Sequence, residues 1–216
     1  MGKTILIYGA GGAGRSLAFA LSLDKNPETA WRVSGFIDDT QSLQGKIVND
    51  IPVLGGYDFL RNYSGDIAVT IVNDPFVRKN LILKVKENKN IKFPKIISSH
   101  SIVSNYIEWG EGCIISMTGV TISVNCSLGD FVFVSGGTRI GHDASIGEYT
   151  TLFSNITISG GVSVGSNCVI GSGAIIMPKR NIGDGSIIGA GTLVSKDIPP
   201  NVIAAGVPAR IIREIK

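Results

Sequence analysis

Aliphatic residues recur at every sixth position of this chain without a slip: Ile122, Leu128, Val134, Ile140, Ile146, Leu152, Ile158, Val164, Ile170, Ile176, Ile182, Ile188 and Val194. A period of six fits neither an amphipathic helix nor an alternating hairpin; it belongs to parallel β-helices, in which each hexad is one short face of a coil and three faces close a triangular circuit. Glycine follows the aliphatic residue at Gly129, Gly141, Gly147, Gly165, Gly171, Gly183 and Gly189, where a corner backbone is expected to need conformations that a β-carbon penalises. The fifth position of each hexad is small or β-branched, as at Cys126, Thr138, Ala144, Thr150, Cys168 and Ser186. Arg180, beside Pro178, breaks that series, and a local bulge is expected there. Each aliphatic residue should point inward and stack on its equivalent one circuit away, contributing ~1.5–3 kcal/mol on full burial. Two weaker hexads at Trp109 and Ile115 precede the array, and one extra residue restores the phase at Ile122, so the coil is expected to start near residue 100.

The repeat takes about half of 216 residues, leaving room for a modest first domain. Charged residues make up 17% of the chain and glycine contributes 28 residues, a turn-rich globular composition and neither a disordered nor a coiled-coil one. A net charge of +3, with no basic cluster interleaved with aromatics, argues against nucleic acid; the lysines from Lys84 to Lys95 mix with Glu87 and read as a solvated helix face. No charged segment followed by an apolar region opens the chain, and no run approaches the ~18 apolar residues of a membrane helix, so a cytoplasmic protein is expected. The three cysteines, Cys113, Cys126 and Cys168, all fall at the fifth position of a hexad and read as small core residues, not as metal ligands, a disulfide or a nucleophile.

Ahead of the coil the pattern changes to alternating strands and helices. Lys3 to Tyr8 reads as a strand, Gly9-Ala10-Gly11-Gly12-Ala13-Gly14 as a glycine turn, and Ala13 to Leu23 as a helix. Amides at the start of such a helix favour a phosphate, and the glycines allow close approach. Arg32 to Ile37 reads as a second strand ending in Asp38-Asp39, where dinucleotide enzymes carry an acidic residue that binds a ribose hydroxyl. Asp58 to Tyr63 reads as helical, Asp66 to Val72 as a third strand, Pro75 to Asn88 as a helix and Ile91 to Ile97 as a fourth strand: a small parallel sheet. A complete nicotinamide site uses two mononucleotide halves, and about 97 residues supply one. A mononucleotide or nucleotide sugar is therefore expected over NAD, with a ligand-free tight turn as the alternative.

Strings such as Ile140-Gly141-His142-Asp143 and Ile170-Gly171-Ser172-Gly173-Ala174 resemble the left-handed β-helix hexapeptide acyltransferases. The left hand is implied by that resemblance, since the period fixes no hand. A small Rossmann-like domain with GAGGAG, FIDD and Val53-Leu54-Gly55-Gly56, fused to a hexapeptide coil, is similar over essentially its whole length to the bacterial sugar O-acyltransferases. That family includes sialic acid O-acetyltransferases and bacillosamine-pathway N-acetyltransferases. The resemblance implies a Rossmann-like nucleotide-sugar domain over residues 1–97 and a left-handed β-helix acyltransferase domain over 98–216. It further implies acetyl-CoA as cosubstrate, a groove between subunits of a homotrimer, and no metal. Many members have Gly-His-Gly where this chain has Gly12-Ala13-Gly14.

Of the two histidines, His100 stands in a polar turn, Ser98-Ser99-His100-Ser101, and reads as a linker or cap. His142 occupies a coil corner between Gly141 and Asp143, and the resemblance makes it the catalytic base. A sugar ammonium must lose a proton before it attacks a thioester, and an imidazole with a pKa of ~6.5 takes that proton near neutrality. Asp143 would orient the ring or stabilise its charged form. Gly160 matches the family glycine whose N–H meets the thioester carbonyl, and Thr151 stands where many relatives carry a second histidine. For acetyl-CoA the resemblance points to Gly171, Gly173, Ala174, Gly189 and Ala190 for close backbone approach. Lys179, Arg180, Lys196 and Arg210 are candidates for its phosphates, and Pro208 lies in a closing motif near the adenine. Arg210 to Lys216 is expected as a short helix or cap. For the nucleotide, Gly9, Gly11, Gly12, Ala13 and Gly14 would take the phosphates, with Asp38 or Asp39 near the base or ribose. The function expected is N-acetylation of a nucleotide-linked 4-amino-4,6-dideoxyhexose in bacterial surface glycan synthesis. O-acetylation of a sugar hydroxyl such as a sialic acid, a non-catalytic hexapeptide scaffold and an NAD-dependent function are the alternatives.

Overall fold

The computed structural model describes residues 3–26, 30–71, 73–115 and 118–215. These divide into two compact units, Met1–Pro94 and Lys95–Lys216.

In the first unit, β1 (Lys3–Tyr8) leads through the glycine turn into α1 (Gly12–Ser22), followed by β2 (Trp31–Ile37), β3 (Ile47–Val48), β4 (Ile51–Gly55), a 3₁₀ turn over Tyr57–Asn62, β5 (Gly65–Val69), α2 (Pro75–Val85) and β6 (Ile91–Lys92). The sheet order is β3-β4-β2-β1-β5-β6. From β4 to β6 every neighbouring pair is parallel. β1 is buried along Ile5, Leu6, Ile7 and Tyr8, as a strand covered on both faces must be. After β2 and β4 the chain crosses to the far side of β1, so the order reverses at the carboxyl end of β1. Open α/β sheets bind ligands at such a switch point. The antiparallel β3–β4 hairpin adds an element that the sequence pattern did not announce. Its turn residues Asn49 and Asp50 both take positive φ, 47° and 63°, as a tight hairpin turn demands.

The second unit is a left-handed parallel β-helix. Its strands, mostly two residues long, form three sheets of eight, six and five strands. Ile140 pairs with Ile158, Ile158 with Ile176 and Ile176 with Val194, one eighteen-residue circuit apart each time. The repeated aliphatics and the fifth-position residues merge into one buried column. At most polar fifth positions the side chain donates to a carbonyl of the next circuit, the buried Thr192 hydroxyl being an exception. Thr138 donates to Phe153 O (2.9 Å), Thr150 to Gly165 O (2.8 Å), Cys126 to Gly141 O (3.1 Å) and Cys168 to Gly183 O (3.2 Å). All three cysteines are free and buried. Burial pushes the Cys113 and Cys168 thiols up to about 11, which makes them inert core residues.

Several expectations need correction. The run Ile91 to Ile97 is not one strand: Pro94, which offers no N–H, separates β6 from Ile96–Ile97, and Ile96 instead pairs with Ile114 as the first rung of the coil. The coil therefore begins before residue 100. Val72, expected at the end of the third strand, lies outside the described residues. No bulge forms at Arg180; its carbonyl accepts from Ser163 N (3.0 Å) in normal register while its side chain leans outward to Asp197 (3.5 Å). Arg210–Glu214 is a strand, not a helix, and pairs antiparallel with Val202–Ala205 at the end of the eight-stranded sheet. The glycines that follow the aliphatic residues are required by close approach and not by φ. A β-carbon on Gly141 would lie 2.7 Å from Gly160 N, and one on Gly171 2.5 Å from Ala190 N. The positive φ falls two residues later, at Asp143 (57°) and Gly173 (72°) for example.

Candidate active site

One corner of the coil, between the six-stranded and five-stranded sheets, collects the reactive groups. His142 and Asp143 follow the strand Arg139–Ile140, and Gly160 occupies the same place one circuit later, after Thr157–Ile158. The fold dictates the juxtaposition, because eighteen residues bring the chain back to the same corner one strand spacing along, ~4.8 Å. His142 Nδ1 lies 2.7 Å from Asp143 Oδ2. This bond, followed by the one from Asn125 Nδ2 to Asp143 Oδ1 (3.2 Å), holds the Asp143 carboxyl below its ordinary pKa. With the carboxylate on Nδ1, the ring proton belongs there and Nε2 is the basic nitrogen. Nε2 faces Gly160 so closely that a β-carbon on that glycine would lie 2.5 Å from it. The backbone turn is clamped by Gly161 N donating to His142 O (2.9 Å). Both side chains of the pair are open to solvent, 65% and 56% exposed, so an incoming group can reach the ring. A base with its tautomer fixed, beside an open main-chain corner, suits proton removal from a nucleophile attacking a carbonyl.

The expected acyl-donor residues separate into two corners. Lys179, Arg180 and Lys196 lie farther along the same corner as His142, and the Lys179 stem rests 3.4 Å from where a Gly161 β-carbon would be. Gly171, Gly173, Gly189 and Ala190 lie at the corner on the other side of the six-stranded sheet. Ala174 is 0% exposed and faces the core, so its side chain meets no ligand. Thr151 is also 0% exposed, in a strand whose neighbours are Phe133 and Val169, and it offers no surface beside the imidazole. Pro208 and Arg210 are exposed near the last strands. His100 is an exposed turn residue whose Nδ1 lies 3.3 Å from Ser99 Oγ. Among the described residues no group of three or more His, Cys, Asp or Glu is gathered as for a metal, and no helix is long and apolar enough to cross a membrane.

In the first unit, the glycine turn sits at the carboxyl end of β1. Gly9 takes φ +107°, and a β-carbon on Gly14 would lie 1.8 Å from Gly9 O, so these two glycines serve the tight turn and the helix–strand packing. Gly11 and Gly12 are exposed, and nothing lies within 4 Å of where their β-carbons would be. No side chain caps α1, which leaves its first amides open for an anion. The two aspartates are not free hydroxyl-binding groups. Asp38 Oδ2 accepts from Ala10 N (2.8 Å) and Oδ1 from Thr40 N (2.9 Å). Partial burial works to raise its pKa, but these N–H bonds outweigh burial and leave it lowered. Asp39 accepts from Tyr8 OH (2.5 Å) and Tyr57 N (2.7 Å), tying β1 to the 3₁₀ turn. Burial, and then the Asp39 bond, push the Tyr8 hydroxyl well up. Tyr8, Thr40 and Tyr57 were not singled out from sequence, because their role emerges only when strand ends meet. Asn125 was missed for a different reason: its signal is the eighteen-residue spacing to Asp143, hidden among corner residues that share it.

The coil is that of the hexapeptide-repeat transferases. The model of the bacterial transferase hexapeptide family (six repeats) matches residues 143–178 and 161–196. No curated protein matches the chain. Among solved structures, PerB from Caulobacter crescentus in complex with CoA and GDP-perosamine is 29% identical, with a TM-score of 0.86, over 99% of this chain and 98% of that one. A histidine variant of perosamine N-acetyltransferase from the same organism is 28% identical over the same shares, with a TM-score of 0.87. WeeI from Acinetobacter baumannii AYE is 26% identical over 97% of this chain and 100% of that one, with a TM-score of 0.81. The family resemblance seen in the sequence is borne out: the coil carries the bacterial transferase hexapeptide repeats, and the chain as a whole is similar in fold to these sugar N-acetyltransferase structures.

Proposed function

We propose that this protein transfers the acetyl group of acetyl-CoA to the 4-amino group of a nucleotide-linked 4-amino-4,6-dideoxyhexose. The observation that carries the reading is the corner itself: His142 fixed through Nδ1 by Asp143, with Nε2 open toward Gly160. Two similar structures support the choice of substrate class, one solved with CoA and GDP-perosamine, the other a histidine variant of a perosamine N-acetyltransferase solved with the same pair.

His142 Nε2 takes a proton from the sugar ammonium, leaving a neutral amine. The amine lone pair attacks the thioester carbonyl, and the Gly160 N–H stabilises the oxyanion that forms. When the C–S bond breaks, the imidazolium returns its proton to the departing thiolate, and the new amide nitrogen releases its extra proton to water. Asp143 stabilises the imidazolium throughout. The open amides at Gly11, Gly12 and Ala13 take the sugar nucleotide's pyrophosphate. Asp38 and Asp39 shape that loop and the nearby wall, a role in keeping with their hydrogen bonds to Ala10 and Tyr57. Lys179, Arg180, Lys196 and Arg210 meet the acyl donor's phosphates. The division of labour, read from the sequence as residues 1–97 and 98–216, falls between the units Met1–Pro94 and Lys95–Lys216, in a cytoplasmic homotrimer serving bacterial surface glycan synthesis.

The test is thiol release from acetyl-CoA against UDP-, dTDP- and GDP-linked 4-amino sugars with the matching 4-hydroxy sugars beside them. Release with one amino sugar and not its hydroxy partner is the expected result. Release with hydroxyl sugars or free sialic acid alone would make the protein an O-acetyltransferase, and silence throughout would make it a scaffold.

A further inference from the structure

We propose that Asn125 is a positioning residue for the catalytic pair, holding Asp143 in the one orientation that leaves His142 Nε2 basic; this rests on His142 acting as the base. Asn125 stands one circuit before Asp143 at the same corner. Its Nδ2 donates to Asp143 Oδ1 (3.2 Å), while Asp143 Oδ2 takes the His142 side (2.7 Å). A carboxylate with one oxygen on the amide cannot rotate freely, so its other oxygen stays on Nδ1. Within the chain both side chains of the pair are more than half exposed, and the amide tethers the carboxylate. Asp143 in turn keeps the imidazole in the tautomer that points its lone pair toward Gly160.

The backbone does not explain this asparagine. Asn125 takes φ 57°, but the equivalent corner positions of other hexads reach the same conformation with Phe131 (56°), Tyr149 (57°) and Lys179 (58°). What sets Asn125 apart is an amide that meets the carboxylate of the adjacent circuit. A neutral donor suits that place, because a cation there would compete with the imidazolium for Asp143 and an anion would repel it. The other titratable groups around the pair are few. The Cys126 thiol is buried, its pKa is raised, and it donates to Gly141 O. Glu108 lines a cleft together with Asn125, and Lys179 lies along the corner beyond Gly161.

Two substitutions separate positioning from folding. Asn125→Gly keeps a residue suited to positive φ and removes the amide. Asn125→Asp keeps the size and sets a second carboxylate against Asp143. In steady-state transfer to the 4-amino sugar nucleotide, Asn125→Gly should lower kcat about 2–10-fold, with KM for both substrates and Tm unchanged. It should also move the acid limb of the kcat/KM profile to lower pH, because the freed carboxylate stabilises the imidazolium less. Asn125→Asp should move that limb to higher pH, because added negative charge favours the protonated ring. Profiles that coincide with wild type at unchanged kcat, or losses that follow Tm alone, would overturn the proposal. His142→Ala run in parallel keeps the two claims apart. If it loses turnover while the Asn125 profiles stay put, the base stands and Asn125 does not. If it keeps turnover, both fall.

Discussion

Gly160 shows how little separates a structural glycine from a functional one. Gly141 and Gly171 lie against the backbone of the next circuit, so a methyl group there would strain the coil. The three atoms nearest a methyl group on Gly160 all belong to the His142 ring, with Nε2 at 2.5 Å and Cε1 at 2.6 Å. Gly160→Ala should therefore leave the fold standing and displace the imidazole. We expect kcat to fall about 10–100-fold, the size of effect produced by misplacing a reacting group by an ångström. Turnover with the 4-amino sugar nucleotide, set beside a thermal melt, checks this; wild-type kcat, or a collapse of Tm, would contradict it. The same distinction runs through the glycine turn of the first unit, where Gly14 is locked by packing and Gly11 and Gly12 are left open.

The coil strands contribute almost nothing alone, being mostly two residues long, and are held by the column they share. Ile158 is 1% exposed and stacks between Ile140 and Ile176. Ile158→Ala should cost about 2–5 kcal/mol, because neighbours fixed by parallel pairing on both sides cannot collapse into the space. Chemical denaturation measures it, and a loss below about 1 kcal/mol would show that the column relaxes more readily than these contacts allow. Because each circuit touches only its neighbours, the loss should propagate along the stack to the His142 corner. Arg180 belongs to the same logic: the stack holds its backbone in register, so an outsized side chain turns outward and no bulge forms. The strand Arg210–Glu214 turns back antiparallel on Val202–Ala205 and so gives that edge a partner.

For the whole molecule, what was legible in the sequence was whatever repeats or is local. The six-residue period gave the coil, and the strand–glycine–helix pattern gave the first sheet and its turn. His142, Asp143 and Gly160 were singled out by the family resemblance; what the period adds is that residues eighteen apart are neighbours, which sets Gly160 beside His142. Contacts without a period were not. The β3–β4 hairpin rests on two residues with positive φ, Asn49 and Asp50. The bonds that occupy Asp38 and Asp39 come from Ala10, Thr40, Tyr8 and Tyr57, whose approach no local pattern encodes. Thr151, matched by position to a family histidine, is sealed in the structure, since a strand residue's exposure depends on what packs over it. The claim that joins the two units into one enzyme is that the coil corner deprotonates the sugar amine. The most direct measurement is steady-state acetyl transfer to the 4-amino sugar nucleotide by wild type and His142→Ala. Turnover lower by roughly 10²–10⁴-fold in the variant, with both substrates still bound, is the result predicted; near-normal turnover would contradict it.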